Sequence, residues 1–77
     1  MNENNSYYTL TEALETVSKA YDDKLSQVTL NCIRPECSKR VAEHFKDNLI
    51  DFDAFDDHIH NRPCATFFFK YEEKLTG

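Results

Sequence analysis

"DNLIDFDAFDDHIHN", residues 47–61, is the stretch on which the reading of this fold turns. It sets Asp47, Asp51, Asp53, Asp56 and Asp57 around two phenylalanines and contains no lysine or arginine. Read as a helix from about Asp51, it places Phe52, Phe55 and Ile59 on one stripe. Read as a strand, it alternates Ile50, Phe52 and Ala54 against Asp51 and Asp53. Aspartate is depleted in strands and favoured at helix starts, and Phe55 breaks the alternation. The expectation is a short helix over residues 51–60.

The segments on either side are plainer. Upstream, Pro35 suits a first helical turn, where its missing amide costs nothing. Cys37, Val41, Phe45 and Leu49 then form an apolar stripe, which predicts a helix over residues 35–48. Before it, "QVTLNCI" (27–33) alternates Val28, Leu30 and Cys32 against Thr29 and Asn31, the pattern of a strand with one buried face. "TLTEALETVSKAYDDKL" opens on a capping box, Thr9 with Glu12, and carries Leu10, Leu14, Val17 and Tyr21 at helical spacing. A helix over 10–25 follows. Downstream, "CATFFFKYEEKL" predicts a strand from Ala65 to Glu73, with Phe67, Phe69 and Tyr71 on one face. Phe68 lies on the other, with Thr66 and Lys70. Residues 1–6 are polar and expected to be a mobile tail.

These elements give an α+β domain of order helix, strand, helix, short helix, strand, with a small antiparallel sheet packed against helices. The chain has 77 residues, enough for one domain spanning 1–77 and a small core. Six phenylalanines and four tyrosines supply the dense packing such a domain needs. No apolar run reaches membrane-spanning length, and "MNENNSYY" lacks the regions of a secretion signal. A cytoplasmic protein without membrane contact is expected, and the odd set of three cysteines agrees with reduced thiols.

The only glycine is Gly77. Phosphate-binding loops, dinucleotide-binding turns and nucleophile-elbow motifs need glycines where the backbone turns tightly or approaches a ligand. None of these can be built here. Turns must rely on asparagine, aspartate and proline, as at Asp22-Asp23, Asn48 and Asn61-Arg62-Pro63. "DFDAFDD" also lacks the glycine and closing glutamate of a calcium loop. No catalytic constellation emerges, and the protein is expected not to be an enzyme.

The net charge of −5 opposes direct binding of nucleic acid and favours a basic protein partner. On a helix, Asp53 and Asp57 stand about 6 Å apart along the axis, close to the spacing of neighbouring phosphates on a nucleic-acid strand. A row of Asp47, Asp53 and Asp57 with Asp56 beside it could then take the place of phosphates on a nucleic-acid-binding protein, as in inhibitors of bacteriophage type. The plain alternative is a solvated helix face, with Asp51 or Asp53 as a cap. Phe68 is a candidate apolar anchor, provided the segment with Tyr7 and Tyr8 does not fold over its face.

Cys32, Cys37, His60 and Cys64 are of zinc-ligating types, and an antiparallel sheet would gather them at one edge. Their spacing is not a recognised finger spacing, and cysteines on apolar faces behave as small hydrophobes. The leading expectation is a small acidic binding protein, an inhibitor or adaptor that occupies a basic surface and needs no cofactor. A zinc-stabilised module and a homodimeric regulatory subunit are the alternatives.

Overall fold

Thr9 begins the first helix in the way its sequence requires. Its hydroxyl accepts from the Glu12 amide at 3.1 Å, and the Glu12 carboxylate accepts from the Thr9 amide at 3.2 Å. In the computed structural model, which describes residues 7–71, this capping box opens helix α1, Leu10–Asp22. Strand β1, Gln27–Asn31, follows, and then helix α2, Pro35–His44. A single 3-10 turn, Lys46–Asn48, leads into strand β2, Leu49–Asp57, and strand β3, Arg62–Phe69, ends the described fold. The expected tail, residues 1–6, and the end of the expected last strand, 72–73, lie outside the described residues.

The α+β class and the antiparallel sheet stand as read. The short helix over 51–60 does not: this segment is the longest strand of the sheet. The predicted 35–48 helix also ends early. At Phe45 the amide turns back to Val41 and the chain tightens into the 3-10 turn.

The sheet order is β1-β3-β2, so β3 is central and pairs antiparallel with both neighbours. Both helices cover one face. Val28, Leu30, Ala65, Phe67, Phe69, Leu49 and Phe52 meet Ala13, Val17 and Ala20 of α1 and Val41 of α2 there. The two alanines of α1 let its backbone approach the sheet, while Leu10, Leu14 and Tyr21 close the flanks. Phe67 is fully buried beneath both helices, with Val28 on one side and Phe52 on the other. Burying such a side chain contributes roughly 1.5–3 kcal/mol, a large share for a domain this small.

With no internal glycine, three other residues among those described take left-handed backbone: Lys24, Cys32 and Asn61. Lys24 ends α1, where the Leu25 amide reaches back to the Ala20 carbonyl and the Lys24 amide to that of Tyr21. Asn61 closes the loop between β2 and β3, and asparagine is among the residues that tolerate this conformation best. No helix among the described residues is long and apolar enough to cross a membrane.

Candidate functional site

The misread segment owes its helical look to a bulge. β2 pairs Leu49 with Phe69 and Asp51 with Phe68, which leaves Ile50 as an extra residue. The bulge shifts the alternation by one position, so Leu49 and Phe52, three residues apart, both turn toward the helices. From there the strand is regular. Phe52, Ala54 and Asp56 share the helix side, while Asp51, Asp53, Phe55 and Asp57 share the open side.

That open side is not covered by either helix, and its rows run straight across the sheet. Gln27, Phe68 and Asp51 make one row, Thr29, Thr66 and Asp53 the next, and Asn31, Cys64 and Phe55 a third. Two side-chain contacts tie the middle strand to β1: the Thr29 and Thr66 hydroxyls lie 2.9 Å apart, and the Cys64 thiol donates to Asn31 Oδ1 at 3.6 Å. Thr66 and Cys64 are buried, and Phe68 is half-buried. Tyr7 and Tyr8 do not cover this face. Tyr8 packs on the core and donates its amide to the Cys32 carbonyl at 3.0 Å, while Tyr7 lies under the Arg34 guanidinium.

The five aspartates of the acidic stretch are separated, and the predicted row of Asp47, Asp53, Asp56 and Asp57 does not form. Asp47 lies in the 3-10 turn that precedes the strand. Asp56 projects to the helix side, whereas Asp51 and Asp53 stand on the open side two residues apart, about 6.8 Å. The Asp51 carboxylate accepts from the Phe52 amide at 2.8 Å. Asp57 is committed to the hairpin loop. One of its oxygens accepts from the Ile59 and His60 amides, and the other meets His60 Nδ1 at 2.8 Å and Arg62 Nε at 3.4 Å. The hydrogen bond from the His60 ring, reinforced by its backbone amide and by the nearby charges of His60 and Arg62, holds the Asp57 carboxyl below the usual carboxylate range against a smaller opposing effect of burial. The exposed acidic set on β2 is thus Asp51, Asp53 and Asp56. An aspartate whose oxygens take the amides two and three residues on is an Asx-type turn, and "DHIHN" carried that signal.

The zinc-type residues do not converge. Cys37 lies on α2 beside the Tyr8 carbonyl, Cys64 is under Asn31, Cys32 occupies the turn after β1, and His60 is bound to Asp57. Among the described residues, no three His, Cys, Asp or Glu side chains are placed to share a metal ion. Burial, and secondarily the charge of Glu36, push the Cys37 thiol up, with Arg40 opposing. A nucleophilic cysteine requires the opposite shift.

Open sheet edges are expected from the sequence; that the acidic stretch is itself the edge strand is not. β2 ends the sheet, and three of the four large apolar residues most exposed in the described fold, Ile50, Phe55 and Ile59, lie on it or on its loop. No protein-family model, no curated protein and no solved structure matches the chain.

Proposed function

We propose that this chain is a non-enzymatic binding protein that occupies a basic surface of a partner protein through β2 and the open side of the sheet. One observation carries this reading: a nine-residue edge strand presents three exposed aspartates, no lysine or arginine, and an exposed phenylalanine. Exposed carboxylates steer a cationic partner from a distance, and the exposed ring supplies apolar area once contact is made. In its sharper form the basic surface is one that otherwise takes nucleic acid, with Asp51 and Asp53 standing where neighbouring phosphates would stand. The strand rise sets a spacing close to that of a nucleic-acid backbone, as the helical reading also did.

The test is capture from nuclease-treated bacterial lysate at low and high salt, with the wild-type chain and with the D51N/D53N/D56N variant. Asp57 is left intact because it closes the loop. Retention of a nucleic-acid-binding protein by the wild type at low salt, its release at high salt, and its loss in the variant are the expected results, since exposed charge pairing weakens with ionic strength. Equal retention by the variant rejects the reading.

A further inference from the structure

The outer edge of β2 determines how a basic partner can be held. In β3, Pro63 accepts from the Ile33 amide at 2.9 Å and the Phe69 amide donates to Ser26 at 3.1 Å, so its odd-numbered residues direct their backbone groups toward β1. Its even-numbered residues therefore bond to β2, through Asp51, Asp53, Phe55 and Asp57. The backbone groups of Phe52, Ala54 and Asp56 consequently point away from the sheet. The Phe52 amide agrees, because it bonds to the Asp51 carboxylate rather than to β3. Among the described residues, no backbone group takes up the amides and carbonyls of Ala54 and Asp56.

An edge of this kind invites another strand, and its charges decide which. A second copy is disfavoured. Antiparallel pairing of β2 with itself through its outward residues sets Asp51 opposite Asp53, Asp53 opposite Asp53, Asp51 opposite Asp57, or Asp53 opposite Asp57, according to register. Like charges directly opposite one another destabilise a strand pair. Protection against self-pairing does not account for the whole edge, however, because Ile50 is 69% exposed and Phe55 41% exposed beside those carboxylates. Charged residues serve protection; exposed apolar ones work against it.

Resting on the acidic-surface reading above, we propose that β2 binds an extended basic segment of its partner by strand addition, as a fourth, antiparallel strand of the sheet. The pattern it selects follows from the register. Basic residues stand opposite Asp51, Asp53 and Asp56, and an apolar residue stands opposite Phe55. Basic arms that lie along nucleic acid in extended form have this chemistry. Backbone hydrogen bonds give such a complex its affinity, and the alternating side chains give it specificity.

The probe is a labelled peptide, Thr-Lys-Val-Thr-Lys-Val-Lys, whose fourth residue aligns with Ala54. Binding is read by fluorescence anisotropy at low salt. Methylation of the peptide nitrogen at its fourth residue removes a donor aimed at β2 and should weaken binding at least about tenfold, as expected for lost backbone bonds. Methylation at the fifth residue points away from β2 and should change binding little. In the protein, A54P removes an outward amide without touching the ladder to β3 and should cause a comparable loss, with circular dichroism checking the fold. If D51N/D53N/D56N weakens binding while both methylated peptides bind alike, strand addition is overturned and the acidic-surface reading stands. If the peptide binds equally to wild type and to that triple variant, both fall. Absence of binding at millimolar peptide also overturns strand addition, and the capture experiment then judges the acidic surface alone.

Discussion

The two edges of this sheet are built in opposite ways. β1 is five residues long, uncharged, and tied at both ends: Ser26 accepts from Phe69, and Cys32 accepts from Tyr8. β2 is nine residues long, bulged at Ile50, and lined with carboxylates. A short edge limits unwanted pairing by offering few free backbone groups, whereas a long one needs charge or distortion to do so. Both edges depend on the same central strand, so what separates them is what each offers to solvent. Both strands keep outward backbone groups, Thr29 on β1 and Ala54 and Asp56 on β2. Only β2 adds exposed carboxylates and two exposed apolar side chains, and the proposed binding edge rests on that contrast.

The largest way to break the contrast is to remove what the two edges share. Phe67 is fully buried and sits between Val28 and Phe52. F67A should cost about 3–5 kcal/mol, which is most or all of the stability of a domain this small. Chemical denaturation should show both edges lost in a single transition. Retention of β1 protection after β2 has melted would show that the edges are not held in common.

A second test sharpens the assignment of outward and inward groups on β2. Phe55 bonds to the central strand and Ala54 does not, so proline should be tolerated at one position and not at its neighbour. F55P removes a ladder bond and leaves a carbonyl of β3 without its donor, costing about 1–3 kcal/mol. A54P should cost clearly less. Equal destabilisation by the two, measured by thermal melting, would reverse or erase the proposed phase.

A third test concerns β1. The Thr29 hydroxyl is exposed, while its partner on Thr66 is buried. T29V leaves a buried hydroxyl without its side-chain partner and should cost about 1 kcal/mol, whereas T66V frees a group that water can reach and should cost less. If T66V proves the more damaging, packing rather than the hydroxyl pair ties β1 to β3.

Much of this architecture was legible in the chain. The Thr9 and Glu12 capping box marks the start of α1 because both partners are local in sequence. The phenylalanine run marks β3 because a central strand is apolar on both faces wherever its neighbours shield it. β2 was hidden for two physical reasons. The bulge at Ile50 turned a two-residue period into a three-residue step from Leu49 to Phe52, and Phe55, which looked like core, stands partly exposed on the open side of the sheet. Periodicity counts apolar residues and cannot register an unpaired insertion. The acidic character of the site was equally plain from sequence, but not which aspartates are free. The loop geometry shows that Asp57 serves the hairpin, and the strand register that Asp56 faces away from Asp53.

The smallest expected effect concerns pH, and it distinguishes the edges by chemistry rather than by length. β1 has no titratable side chain between Gln27 and Asn31, while the far end of β2 is closed by Asp57. The hydrogen bond from His60 lowers the Asp57 pKa in the folded chain relative to its ordinary value. A carboxyl shifted in this direction stabilises the fold fully above its unfolded value near pH 4, and that contribution is lost as pH falls through the lower folded value. Acidification should therefore loosen the loop from His58 to Asn61, with His60 and Arg62 losing their partner, while the Thr29 to Thr66 contact is unaffected. Amide chemical shifts of Ile59 and His60 should move together on this titration, and those of Val28 and Leu30 should stay constant. In D57N the loop amides should lose that response, because the amide side chain accepts from the same backbone groups without titrating. If the loop of D57N responds to acid as the wild type does, Asp57 is not the clasp. The end of β2 would then owe its shape to Asn61 in its left-handed conformation.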